Sequence, residues 1–186
     1  MKKQWIWIGV GVAIVAGLVW GVQLNNQLVR QQESIESAWA QVDNQLKRRA
    51  DLVPNLVSTV KGYAAHEKGV FESIANARAQ LAGARSVSQK QAASTQFESA
   101  ISRLLVVVEQ YPNLKADAQF TRLMDELAGS ENRLSVERMR YNDTVKSYNL
   151  LVITFPSSLI AKIGGHQKRD YFNVSEADRA KPVVTF

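Results

Sequence analysis

The sequence contains no cysteine and only two histidines, with four prolines and ten glycines among its 186 residues. Without cysteine there can be no disulfide framework, no thiol nucleophile and no thiolate metal site. His66 and His166 stand far apart in the chain, which removes the paired-histidine spacing of zinc centres. His66-Glu67 opens like the zinc-protease helix motif, but the position of the second histidine is Val70. No phosphate-binding Walker loop, no GxSxG and no GxGxxG is present. The reading is therefore no catalytic residue, no cofactor and no metal. The few prolines and glycines suit long helices, and no alternating strand pattern of any length competes with them. The formal net charge is +6, a modest basic balance that fits an anionic membrane surface at least as well as a nucleic acid. No nucleic-acid partner is expected.

What the chain does have is one long apolar run. Lys2 and Lys3 precede an uncharged segment from Trp5 to Leu24. Twenty residues at about 1.5 Å each span roughly 30 Å, one hydrocarbon core. Trp5, Trp7 and Trp20 lie towards its ends, as an aromatic belt would place them. A cleaved signal peptide is the rival reading, with Val15-Ala16-Gly17 as a loose cleavage site. Apolar residues continue past that site, and a retained single-pass anchor in the inner membrane is expected. The two lysines predict a cytoplasmic N-terminus, with the rest of the chain on the outer or periplasmic side. Gly9, Ala13, Gly17 and Gly21 recur every fourth residue, a stripe along which another membrane helix could approach.

Beyond Leu24 the polar Asn25-Asn26-Gln27 does not break the helix, since no Gly or Pro occurs from Asn25 to Leu52. Leu28, Ile35, Val42 and Leu46 continue an apolar stripe to about Arg49. A second helix is expected from Leu52, with Leu56, Val60, Tyr63, Val70 and Ile74 inward. The stretch Gly83-Ala84-Arg85-Ser86 and its small, polar continuation mark a turn. A third helix runs from about Gln91 to Tyr111, where Pro112 stops it. The fourth and longest runs from Ala116 to Thr154, and Phe155-Pro156 ends it. A short helix follows, with Ser157 or Ser158 as N-cap and Gly164 near its end. The prediction is an all-α fold, an N-terminal transmembrane helix continuing into a long antiparallel bundle of about four helices. Its parts are an anchor (1–25), the bundle (26–165) and a loosely held tail (166–186).

The densest polar stretch, RRADLVPNL at 48–56, reads as a joint between helices rather than a site. Asp51 is a good N-cap, Pro54 falls in a first turn where its missing amide costs nothing, and Arg48 and Arg49 suit the end of the preceding helix. Glu131, Arg138 and Asn142 lie close to the inward stripe of the fourth helix, and Arg78 close to that of the second. Pairing between helices that sets the register of the bundle is the reading favoured for them over a functional cluster. The segment HQKRDYF in the tail reads as solvated.

With these residues laid out, the chain resembles the LemA family of bacterial membrane proteins. The resemblance rests on AWAQVDNQLKRRADLVPNLVSTVKGYAAHEK (38–68) and YPNLKADAQFTRLMDELAGSENRLSVERMRYNDTVKSYN (111–149), then on FPSSLIAKIGG and DYF. It implies one N-terminal membrane helix, a long helical bundle and no established enzymatic activity or biochemical role, so it carries no catalytic residues over. The family has also been described with its bundle on the cytoplasmic side, opposite to the sidedness read from Lys2 and Lys3.

Three functions compete on these grounds. A non-enzymatic scaffold would self-associate through membrane helix and bundle and present a helical surface to other envelope proteins. A lipid-binding or membrane-remodelling module would need a basic face with large apolar residues, which the sequence offers only at Lys3–Trp7. An enzyme would need an unrecognised polar site among Arg48, Arg49, Asp51, His66 and Glu67. The scaffold, with the lipid bilayer, further copies of itself and other envelope proteins as partners, is the expectation.

Overall fold

Helix α1 runs without interruption over Lys2–Lys61, about 90 Å at the α-helical rise. The structure is a computed structural model and describes residues 2–172. Five further helices follow: α2 (Lys68–Gly83), α3 (Val87–Val108), the single turn α4 (Pro112–Lys115), α5 (Ala118–Ile153) and α6 (Ser157–Ile163). No strand occurs among the described residues. The fold is all-α, as the periodicity predicts, and the apolar segment does continue into the bundle's first helix.

The expected joint at Arg48, Arg49, Asp51 and Pro54 is not there. Pro54 sits inside α1, and the chain first breaks at residues 62–67. Gly62, a poor helix former, starts a tight turn in which the Tyr63 and Ala64 amides both reach back to the Val60 carbonyl. The proline is tolerated because its defect is repaired from outside. Lacking an N–H, it leaves the Ala50 carbonyl without its intrahelical donor, and Arg78 Nε on α2 donates to that oxygen at 2.9 Å. Asp51 is accordingly no N-cap. Its carboxylate pairs with Arg78 Nη2 at 3.2 Å.

Two smaller expectations also shift. Helix α3 begins at Val87, ahead of Gln91, because Ser86 and Gln89 form a reciprocal capping box. The residue capping α6 is Pro156, and Ser157 lies inside the first turn.

The chain forms two compact units, one built from the residues up to Trp39 with Tyr141–Tyr171, the other from Ala40–Arg140 with Phe172. The second is an up-down-up-down four-helix bundle, and its side-chain pairs give the directions. Asp43 pairs with Lys90 and Arg49 with Glu98, so α1 and α3 run parallel. Ala50 meets Arg78 and Lys61 meets Phe71, so α2 is antiparallel to α1. Arg49 meets Glu131 and Tyr63 meets Asp117, so α5 is antiparallel as well. Its core holds Leu46, Val53, Leu56 and Val60 from α1, Phe97 and Leu104 from α3, and Leu134 from α5. Each such side chain contributes roughly 1.5–3 kcal/mol when fully buried.

The first unit packs Leu28 and Ile35 of α1 with Tyr141, Val145 and Tyr148 of α5 and Ala161 of α6. Trp39 and Tyr141 meet ring to ring at 5.4 Å. The looseness expected of the tail does not extend to its first residues. The Asn149 side chain exchanges two hydrogen bonds with the backbone of Arg169, and Tyr141 Oη donates to the Asp170 carbonyl at 3.0 Å. Residues 173–186 lie outside the described residues.

Candidate functional site

Within the four-helix unit, two arginines and two glutamates close into a ring. Arg49 Nη1 contacts Glu98 Oε1 at 3.3 Å and also Glu131. Arg138 contacts Glu98 at 3.0 Å and Glu131 at 3.7 Å. Each cation thus touches both anions, and the set is neutral. Ser94 Oγ accepts from Arg138 Nη2 at 3.0 Å and lies 3.3 Å from Glu98, while the Arg138 guanidinium lies over the Phe172 ring. Three helices are tied by this ring: α1 through Arg49, α3 through Ser94 and Glu98, α5 through Glu131 and Arg138.

Why these residues meet is legible in the spacing of α1. Buried positions 42, 46, 49, 53, 56 and 60 step by alternating four and three, so Arg49 occupies a core position while Arg48 is exposed. Reading Arg49 as a cation at a helix end was wrong because no helix ends there. On α5 the buried Leu134 and Tyr141 bracket Arg138 in the same way. Glu98 and Ser94 were missed; they stand one turn apart on α3, either side of the buried Phe97. Asn142 is half-buried.

Chemically the ring is closed. Both carboxylates are taken up by two guanidiniums, and Ser94 is bonded to Arg138 and Glu98, with no imidazole beside it. The Nε atoms of Arg49 and Arg138 make no hydrogen bond among the described residues. Because the ring ties three helices, a one-turn slip of any of them would strand a charge. The other polar residues weighed for chemistry are scattered. Arg48 and His66 are exposed, Asp51 belongs to the Arg78 bridge, and His66 stands in the turn before α2. Among the described residues no three His, Cys, Asp or Glu gather as a metal set.

Near that turn, Asp117 caps α5 by accepting from the Gln119 and Phe120 amides at 2.8 and 2.9 Å. It also accepts the Tyr63 hydroxyl at 3.1 Å. The Phe120 amide, then the Tyr63 hydroxyl, hold the Asp117 carboxyl below its ordinary value. The same bond raises Tyr63 above the usual phenol range.

The N-terminal part of α1 has the opposite character. Trp7, Val12 and Leu18 are 71, 65 and 66% exposed, far more contiguous apolar surface than a soluble monomer normally leaves open. Among the described residues this is the one helix long and apolar enough to cross a membrane. Of the small-residue stripe, an added Cβ at Gly9 or Gly17 would meet nothing within 4 Å, whereas at Gly21 it would lie 3.5 Å from Ile160 of α6. Ala13 is exposed. The chain's own α6 has thus taken the Gly21 end of the stripe.

An all-α chain with one exposed, membrane-length apolar helix leading into a bundle closed around a neutral ionic ring belongs to the class of membrane-associated helical-bundle proteins. The particular family follows from its sequence: residues 38–186 match the LemA family, and the chain belongs to it. The magnetosome protein MamQ 1 of Paramagnetospirillum magneticum is 24% identical over 94% of this chain and 73% of its own length. Magnetosome protein MamQ of Magnetospirillum gryphiswaldense is 23% identical with the same coverage. Protein LemA of Metamycoplasma hominis is 26% identical over 81% of this chain and 67% of its own length. None of these names states an enzymatic activity.

Proposed function

We propose that this protein is a non-enzymatic membrane-anchored scaffold, which associates with further copies of itself and presents a helical surface to other envelope proteins. One observation carries the reading: α1 is a single helix from the exposed apolar segment into the bundle core. A continuous helix of that kind links any pairing within the bilayer to the soluble part. The closed, neutral ring supports the same reading, since its carboxylates are engaged and it holds helices in register. The anchor keeps its N-terminus cytoplasmic, with the bundle on the outer face of the inner membrane. The stripe available for pairing is Gly9, Ala13 and Gly17. The test is energy transfer between donor- and acceptor-labelled copies, each carrying Arg85→Cys, co-reconstituted in vesicles at high lipid excess. Transfer above that of randomly mixed single-span peptides is expected. Its absence would remove self-association from the account.

A further inference from the structure

Large apolar side chains are also exposed outside the N-terminal segment, and four of them cluster at the turn between α5 and α6. Phe155 is 81% exposed, Leu159 55% and Ile163 84%, with Ile153 beside them at 50%. Leu159 and Ile163 are spaced by four and so share one face of α6, and Phe155 stands in the turn that leads into it. The opposite face is occupied, because Ser157 and Ala161 are buried. The sequence reading found no such patch away from Lys3–Trp7.

The position of this patch along α1 says what covers it. Ile160 lies against Gly21, and Gly164 lies against Asn25, where an added Cβ would stand 2.9 Å from the Asn25 side chain. His166 Nε2 is 3.3 Å from the same Asn25 Oδ1. Both contacts advance by four, so α6 runs parallel to α1 in fixed register. Carried back along α6, that register sets its first residue, Ser157, level with Leu18, and Phe155 and Pro156 stand in the turn just before it. Leu18 is about 9 Å short of Leu24, where the apolar run ends, taken at 1.5 Å per residue. Leu159 comes level with Trp20, Ile163 with Leu24, and the polar Gly164–His166 turn with Asn25.

We propose that the α5–α6 turn is a second membrane-embedded element, a wedge that dips into one leaflet beside the anchor. Phe155 and Leu159 occupy the acyl-chain region and Ile163 its edge. This rests on the reading of Trp5–Leu24 as a membrane span. The occupant of the patch is lipid: its depth matches the roughly 5–10 Å to which interfacial helices bury their apolar face. The exposed Lys162 stands level with Gln23, close enough to the polar boundary for its ammonium to reach the headgroups. The wedge enters and leaves on the same side, so it fixes how deeply the anchor sits without adding a crossing.

The test uses the full chain in phosphatidylcholine–phosphatidylglycerol vesicles, with a polarity-sensitive fluorophore on single cysteines. The sites are Phe155→Cys and Leu159→Cys, with Arg85→Cys as the aqueous control and Val12→Cys as the mid-span control. Lipids spin-labelled high on the acyl chain should quench positions 155 and 159 several-fold more than position 85. Aqueous iodide should show the reverse order. Quenching of 12 by lipid, but of 155 and 159 by iodide as readily as 85, would overturn the wedge and leave the anchor standing. Positions 155 and 159 shielded from both quenchers would mean that protein covers the patch, which overturns it too. Position 12 open to iodide would sink anchor and wedge together.

Discussion

Pro54 and Arg78 should behave as one unit, and a double-mutant cycle can show it. In the native chain the Ala50 carbonyl has no Pro54 amide to accept from, and Arg78 Nε supplies the bond at 2.9 Å. Arg78→Met removes that donor and keeps most of the apolar stem. A stranded acceptor costs about 1–3 kcal/mol, and the low end applies because the Arg78 side chain is 45% exposed, which lets water approach. The exposed Arg78–Asp51 pair adds about 0–1 kcal/mol. Arg78→Met alone should therefore cost about 1–2 kcal/mol. In a Pro54→Ala background the backbone amide regained at position 54 reaches the Ala50 carbonyl, and only the ion pair is lost. The same Arg78 substitution should then cost about 0.5 kcal/mol, a coupling near ~1 kcal/mol. Urea unfolding of the full chain in a mild detergent reads this through far-UV circular dichroism, since the apolar segment stays helical in the micelle. An equal cost of Arg78→Met in both backgrounds would refute the repair of the proline defect.

Three further outcomes are expected. Arg49→Ala leaves two carboxylates sharing one arginine; breaking a buried pair costs about 3–5 kcal/mol, reduced here towards about 2–3 because Glu98 and Glu131 are 29 and 39% exposed. Arg49→Met paired with Glu131→Gln should recover part of that loss, and no recovery in the same urea assay would count against a register role. The Asp117 cap is held by a carboxyl below its ordinary value, so its contribution is present above the unfolded-state pKa and is lost as pH falls through the folded one. Asp117→Asn, itself a good cap, should leave neutral stability nearly unchanged and make the loss of helicity in acid less steep, and an unaltered acid limb would contradict this. Finally, Arg85→Cys should react in intact cells with an impermeant thiol reagent once the outer barrier is opened. Reaction only after inner-membrane lysis would put the bundle in the cytoplasm.

The sequence carried the helices well and their ends less well. Apolar spacing at three and four marks α3 and α5 clearly, because both are amphipathic and end at Pro112 and Phe155-Pro156. The same reasoning failed at Pro54, where local rules favour a helix start and a tertiary bond from Arg78 overrides them. That donor lies 28 residues away, and no local pattern announces it. The ring was half visible. Arg138 and Glu131 stood out near an apolar stripe, and Arg49 was hidden because a helix was expected to end at about that residue, which made it a terminal cation instead of the next core position after Leu46. Gly21 shows the limit of pattern alone: a small residue says that something approaches closely, and the neighbour turned out to be α6 of the same chain.

The central claim is that α1 joins copies within the bilayer, and the mass of the detergent-extracted full chain tests it most directly. Light scattering should compare the wild type with a Gly9→Leu, Gly17→Leu double variant, which spares Gly21 and its contact with Ile160. Both substitutions raise apolarity, so insertion should persist, while close helix approach is blocked. A discrete wild-type oligomer that falls to monomer in the variant is the expected result. A monomeric wild type, or an oligomer untouched by the two leucines, would contradict it.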